Sequence, residues 1–107
     1  MSTFGKREDD FEKKFAHDEE LRFKAKARRD KMLGLWVADK LGWRGEEAEA
    51  YAKSLIVADL TEFGDDEVFR KIRADFDAAG VEQSDHQIRR TMEELLTRAI
   101  ADVKAGL

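Results

Sequence analysis

Apolar residues recur along the chain with the three- and four-residue spacing of amphipathic helices, and glycines separate the resulting segments. The chain contains no proline, which would end or kink a helix inside those segments. The pattern predicts four helices, beginning near Asp10, Gly45, Asp65 and Ser84, and no alternating strand pattern competes with them. Short connections favour antiparallel neighbours. We therefore predict an all-α four-helix bundle with a long first helix and a mobile N-terminal segment.

The expected helix ends coincide with residues that favour them. Gly42 and Gly80 follow apolar helical stretches, and glycine readily adopts the left-handed conformation that closes a helix. Asp65 is a candidate N-cap for the third helix. Ser84 is followed three residues later by Gln87, which is the spacing of a capping box at the start of the fourth helix.

Each helix has an apolar face that is expected to contribute to one core. The first helix contributes Met32, Leu35, Trp36, Val37 and Leu41; the second contributes Ala48, Tyr51, Ala52, Leu55, Ile56 and Phe63; the third contributes Val68, Phe69, Ile72, Phe76 and Ala79; the fourth contributes Ile88, Met92, Leu95, Leu96, Ala99, Ile100 and Val103.

Charge is distributed unevenly between the two parts of the chain. The 107 residues suffice for one modest core, and 41% of them are charged. Residues 1–31 have a net charge of +2, whereas residues 32–107 have a net charge of −6. Large apolar residues are sparse in the first part. The core should therefore come mostly from residues 32–107, with part of the N-terminus outside it.

The composition also bears on the compartment. Without cysteine the chain forms no disulfide and no thiolate metal site, which suits a reducing cytoplasm. No apolar run approaches the roughly 20 residues that a membrane span needs. The first ten residues lack the apolar region of a secretory signal. We expect a soluble cytoplasmic protein without direct membrane insertion.

One face of the first helix is interrupted by charges. Asp18, Arg22 and Arg29 project from the face that carries its apolar residues, so a continuous apolar seam would bury charges without visible partners. The helix therefore divides into an apolar C-terminal part, a charged middle and a sparse aromatic N-terminal part. The apolar residues near this face are Phe4, Phe11, Phe15, Ala25, Met32, Leu33 and Trp36.

The aromatic N-terminal part is too poor in apolar area to order itself. Burying three phenylalanines contributes roughly 5–9 kcal/mol, whereas fixing some 15 residues costs on the order of 15 kcal/mol of backbone entropy. We therefore predict a flexible segment over residues 1–17, which becomes helical against a partner, and a helical bundle domain over residues 18–107. The alternative is that Phe11 and Phe15 pack back on the bundle and that the first ten residues form a tail without function.

Two stretches carry a resemblance to a known family. FAHDEELRFKAKARRDKMLGLWVADKLG (Phe15 to Gly42) and VFRKIRADFDAAGV (Val68 to Val81) resemble the zeta subunit of alpha-proteobacterial F-type ATP synthases, an ATPase-inhibitor family once catalogued as a domain of unknown function. The resemblance extends along the whole chain. It implies a small helical regulator that binds the F1 sector of ATP synthase and inhibits ATP hydrolysis, and it implies no enzymatic activity.

The resemblance further implies an inhibitory element at about Ser2 to His17. That element would insert as a helix at a catalytic interface, contacting the alpha, beta and gamma subunits, with the bundle behind it as an anchor. It implies a location on the cytoplasmic face of the inner-membrane ATP synthase, and we expect a monomer when the chain is free. The expected partner-binding residues are Phe4, Lys6, Arg7, Phe11, Lys14 and Phe15.

The basic cluster in the middle of the first helix allows other interpretations. Glu19, Glu20 and Asp30 flank it and the sequence pI is about 5.3, so nucleic-acid binding is disfavoured. A solvated face with pairs such as Glu20 with Lys24 is the simplest interpretation. A second hypothesis is contact with an acidic surface or with the phosphates of weakly bound ADP or ATP. The residues of that hypothesis are Arg22, Lys24, Arg28 and Arg29.

The sequence contains few other candidates for pH sensing, metal binding or catalysis. His17 is a candidate for pH sensing because histidine titrates near physiological pH, whereas His86 is expected to be exposed. The two histidines lack metal-site spacing, so we predict no metal and no required cofactor. No nucleophile lies beside a base, and no glycine-rich phosphate loop is present. The alternative function is a generic helical adaptor protein that uses the same segment on another partner.

Overall fold

Four helices form the fold in a computed structural model, which describes the backbone of residues 3–61 and 65–107 and the side chains of residues 18–60 and 65–107. They are α1 (Thr3–Leu41), α2 (Glu46–Thr61), α3 (Asp66–Ala79) and α4 (Asp85–Lys104). Those ranges contain no strand. The predicted all-α fold with a long first helix is confirmed, although α1 begins at Thr3 rather than near Asp10.

Helix ends that depend on local sequence were predicted correctly. Gly42 and Gly80 have φ values of 82° and 68°, in the left-handed region that favours glycine. At the start of α4, the Gln87 amide donates to Ser84 Oγ at 3.1 Å, and the Ser84 amide donates to Gln87 Oε1 at 2.9 Å. The capping box is thus confirmed.

Asp65 occupies the N-cap position of α3, as predicted, but its side chain makes no capping hydrogen bond. Its Oδ1 instead accepts a hydrogen bond from Arg29 Nη2 at 2.8 Å. A hydrogen bond to a buried guanidinium is charge-assisted and stronger than one to a backbone amide, so the distant partner takes the carboxylate.

The core lies where α1 packs against the other three helices. Trp36 of α1 meets Phe76 of α3 edge to face, with ring centroids 5.8 Å apart. Leu35, Trp36 and Leu41 are half-buried against this core, as predicted, whereas the predicted core residue Phe63 lies outside the described residues. The buried residues of this core are Leu33, Val37, Ala38, Ala48, Tyr51, Leu55, Val68, Ile72, Phe76, Ile88 and Met92.

A close contact between backbones fixes the spacing of α1 and α2. A Cβ atom built on Gly34 would lie 2.5 Å from Ala52 Cα and 2.9 Å from Ala52 Cβ. Real Cβ atoms essentially never approach backbone atoms this closely. The two helices can therefore pack at this separation only with glycine at position 34.

Replacing Gly34 with alanine should lower the free energy of unfolding by about 1–3 kcal/mol, because the helices must move apart. Helix propensity alone predicts the opposite, a gain of about 1 kcal/mol for alanine over glycine inside a helix. Urea denaturation followed by circular dichroism measures the difference. A Gly34→Ala variant that is more stable than the parent chain would show that the helices are not in close contact here.

Candidate functional site on the first helix

Two exposed cations of α1, Arg22 and Lys24, form ion pairs within the helix. Arg22 Nη1 lies 3.4 Å from Glu19 Oε1, and Lys24 Nζ lies 3.2 Å from Glu20 Oε1. The predicted pair of Glu20 with Lys24 is thus confirmed. All four side chains are more than half exposed. Exposed pairs of this kind contribute little to stability, so Arg22 and Lys24 can exchange their partners for acidic groups on another molecule.

Arg28 connects α1 to the end of α4. Its Nε donates a hydrogen bond to Asp102 Oδ2 at 3.1 Å, and its Nη1 donates to the carbonyl oxygen of Leu107 at 2.8 Å. These contacts occupy two edges of the guanidinium. A nucleotide or acidic surface would have to displace them, so in this structure Arg28 joins the helices of the bundle.

Arg29 is a residue of the interior. Its side chain has no exposed area, and its Nε donates to Asp30 Oδ1 at 2.8 Å while its Nη2 donates to Asp65. The hypothesis that Arg29 contacts a nucleotide or an acidic surface therefore fails in this conformation. Its position four residues after Ala25 and four before Leu33 explains the burial, because all three lie on the face of α1 that meets the bundle.

Five charged residues form what we call the buried charge cluster, in which the side chains of Arg29, Asp30 and Asp59 are buried and those of Lys26 and Asp65 are partly exposed. In addition to its hydrogen bonds with Asp30 and Asp65, Arg29 has its Nη2 atom 3.7 Å from Asp59 Oδ2. Lys26 Nζ lies 3.1 Å from Asp59 Oδ1 and 4.0 Å from Asp65 Oδ1. The cluster connects α1 with the end of α2 and the start of α3. Its members are Lys26, Arg29, Asp30, Asp59 and Asp65.

The pKa values of Asp30 and Asp65 in this cluster are shifted in opposite directions. Burial raises the pKa of Asp30 to about 8, and the neighbouring carboxyl of Asp59 adds to this shift, while Arg29 opposes it. The hydrogen bond from Arg29 lowers the pKa of Asp65 below its ordinary value. At neutral pH the Asp30 carboxyl is therefore favoured in its protonated form and Asp65 is ionised.

An apolar groove of about 450 Å³ lies between α1 and α4 beside this cluster. Leu21 and Ala25 of α1 line it together with Leu96, Ile100 and Val103 of α4, and its charged lining residues are Asp18, Arg22, Lys26, Asp65 and Lys104. The sequence predicted that the whole α4 stripe would be core. Instead Ile100 is 39% exposed, because the α1 residues opposite the end of α4 are largely charged and do not cover it.

The structure also bears on the predictions for His86, for metal and membrane binding, and for segment 1–17. His86 is exposed, as expected, and among the described residues no three His, Cys, Asp or Glu side chains are arranged so that they could hold a metal ion. Within the same ranges no helix is long and apolar enough to cross a membrane. The side chains of the predicted segment 1–17 lie outside the described residues, among them Phe4, Lys6, Arg7, Phe11, Lys14, Phe15 and His17.

The sequence contained a partial signal for the buried charge cluster. The helical spacing places Arg29 on an apolar face, and a buried charge requires partners. The sequence pattern does not identify Asp59 and Asp65 as those partners. They belong to α2 and to the start of α3, and only the antiparallel packing of α2 on α1 brings them to Arg29. The apolar spacing of α1 could have indicated that Arg29 is buried, but not which carboxylates neutralise it.

Comparisons with known proteins agree with this architecture. A family model described as ATPase inhibitor subunit zeta matches residues 1–102. A solved structure, described as a solution NMR structure of a protein, is 40% identical, covers 81% of this chain and 99% of its own, and has a TM-score of 0.71. No match was found among curated proteins. The family match thus includes the N-terminal segment and the bundle as far as residue 102.

Proposed function

The chain belongs to the ATPase inhibitor zeta subunit family, and from this premise we propose that it binds the F1 sector of F-type ATP synthase and inhibits ATP hydrolysis by inserting its N-terminal helix at a catalytic interface. The observation that carries the proposal is the family match, which begins at residue 1 and includes the whole of segment 1–17. The partners that we propose are the alpha, beta and gamma subunits. The complex would lie on the cytoplasmic face of the membrane.

The architecture of α1 supports this mechanism. The helix spans Thr3–Leu41, 39 residues, and therefore extends over about 58 Å at 1.5 Å per residue. Among its described side chains, buried ones begin at Ala25 and continue to Ala38. The same helix thus belongs to the bundle at one end and carries segment 1–17 at the other.

The proposed inhibition requires no covalent chemistry by this chain. A helix inserted between a catalytic and a non-catalytic subunit would prevent the conformational changes that each hydrolysis cycle needs. Phe4, Phe11 and Phe15 would supply the apolar anchors, as aromatic residues do at the centres of many interfaces. Lys6, Arg7 and Lys14 would favour encounter with acidic groups of the partner.

Addition of the purified chain to isolated F1 tests the proposal. ATP hydrolysis, followed by a coupled assay, should fall with increasing concentration of the chain and reach a plateau at one chain per F1. The generic adaptor hypothesis predicts unchanged hydrolysis and no binding to F1 in surface plasmon resonance. Binding without any inhibition would retain the partner and reject the inhibitory mechanism.

Weak binding of ADP or ATP is a separate proposal, for which the structure leaves fewer residues than the sequence suggested. Of the four cations assigned to it, Arg22 and Lys24 are exposed, whereas Arg28 and Arg29 are engaged within the bundle. Isothermal titration of the full chain with ADP and ATP tests it. Heat that disappears in the Arg22→Ala variant would support this site, and absence of heat would reject it.

A further inference from the structure

The buried charge cluster has an imbalance of charge. Lys26 and Arg29 contribute two positive charges, whereas Asp30, Asp59 and Asp65 would contribute three negative charges if all were ionised. The side chains of Arg29, Asp30 and Asp59 are at most 7% exposed. An uncompensated charge at such depth is costly, and a protein commonly avoids the cost by binding a proton.

The hydrogen bonds of the cluster indicate where that proton lies. Asp30 Oδ1 accepts from Arg29, but Asp30 Oδ2 is buried and has no hydrogen-bond partner among the described residues. Asp59 contacts the same guanidinium, with its Oδ2 3.7 Å from Arg29 Nη2, and its Oδ1 is also buried and, apart from its ion pair with Lys26, has no hydrogen-bond partner among the described residues. An ionised Asp30 would be repelled by a second carboxylate beside it, whereas a protonated Asp30 can donate a hydrogen bond to a neighbouring oxygen. Asp30 is therefore the group at which one proton removes the imbalance.

We propose that Asp30 retains its proton at pH 7 and that release of this proton to solvent at higher pH loosens the attachment of the C-terminal end of α2 to α1. The protonated cluster is neutral, and the deprotonated cluster carries one net negative charge between the two helices. Repulsion between Asp30 on α1 and Asp59 on α2 then acts directly across their contact. This pH response is a property of the bundle and does not depend on the inhibitory function proposed above.

Charged groups on the other packed elements do not cancel the effect. From α1, Lys26 and Arg29 face the carboxyl pair, and both also contact Asp65, which precedes α3. From α4, Arg89 acts on Asp65 and lies 3.7 Å from Asp66 Oδ1, so its charge is matched by a carboxylate of its own. No further cation faces Asp30 or Asp59 among the described residues.

The sign of the pH dependence follows from the raised pKa of Asp30. In the unfolded chain the Asp30 carboxyl has its ordinary pKa of 3.8, whereas in the folded chain its pKa is about 8. The contribution of this group to the stability of the folded chain is therefore fully present below pH 4 and is lost as the pH rises to about 8. In this window the folding equilibrium constant should fall by up to tenfold per pH unit.

A titration of the full chain by NMR tests the proposal. The side-chain carboxyl ¹³C shifts of Asp30 and Asp59 are followed from pH 4 to pH 9.5 in the uniformly labelled protein. The Asp30 carboxyl should lose its proton above pH 7, with a loss of hydrogen-exchange protection for α2 amides near Asp59 over the same range. If Asp30 is ionised at pH 7, or if protection near Asp59 is constant through the step, the proposal is wrong.

Asp30→Asn supplies an independent test, since its amide mimics the protonated acid. The amide oxygen can still accept from Arg29, and its NH₂ group can donate to Asp59. This variant should keep its α2 protection at pH 9 and lose most of the decline in stability between pH 5 and pH 8. Asp39→Asn, an exposed change on the same helix, should retain the parent profile. Equal pH profiles for Asp30→Asn and the parent chain would overturn the proposal.

Discussion

Replacing Arg29 with alanine is expected to lower the free energy of unfolding by about 3–5 kcal/mol, the cost typical of removing one partner from a buried ion pair. The substitution leaves Asp30 and Asp59 buried beside each other, and Asp65 loses its hydrogen-bond donor. It also leaves a cavity where the guanidinium lay in the interior. Chemical denaturation followed by circular dichroism gives the difference, and a variant already unfolded in buffer would be a larger loss in the same direction.

Arg22→Ala is the matched control for this prediction. Arg22 is an arginine of the same helix, but its side chain is 71% exposed and pairs only with Glu19 among the described residues. Its removal should change the free energy of unfolding by less than about 1 kcal/mol. If the two variants have the same stability, the burial of Arg29 contributes nothing and the buried charge cluster does not stabilise the bundle.

The sequence predicted those features that depend on residues within one helical turn of each other. The left-handed Gly42 and Gly80 and the capping box of Ser84 with Gln87 are of this kind. So is the pair of Glu20 with Lys24. In each case the residues responsible are adjacent in sequence or lie within one helical turn, so that no knowledge of helix packing was required.

Features that depend on helix packing were not predictable in the same way. Arg29 and Asp65 are 36 positions apart, and Arg28 and Asp102 are 74 positions apart. The same holds for the exposure of Ile100, which lies opposite a charged part of α1. The sequence shows that a residue is charged or apolar, but the packing of the helices decides whether it meets a partner, a core or solvent.

Asp65 illustrates how a distant partner can override a local preference. An aspartate directly before a helix usually accepts a hydrogen bond from the first turn. Here its carboxylate binds Arg29 instead, and the start of α3 is thereby attached to α1. The local pattern located the helix start correctly and misassigned the side chain, because the buried guanidinium competes for the same oxygen.

Removal of residues 1–17 is expected to abolish inhibition of F1, with the concentration needed for half-inhibition rising at least about 100-fold. Two aromatic anchors at roughly 2 kcal/mol each already account for a loss of this size. The bundle should persist, because the described buried side chains begin at Ala25. Circular dichroism and denaturation of the truncated chain check that it remains folded, and hydrolysis assays with F1 measure inhibition.

Two substitution sets within the segment distinguish anchoring from electrostatic attraction. Replacing Phe4, Phe11 and Phe15 together with alanine should mainly accelerate dissociation from F1, because buried aromatic contacts determine how long a complex lasts. Replacing Lys6, Arg7 and Lys14 with alanine instead should mainly slow association and weaken its dependence on salt. A truncated chain that inhibits as well as the full chain would show that the bundle is the inhibitory element, and both substitution sets would then leave the kinetics unchanged.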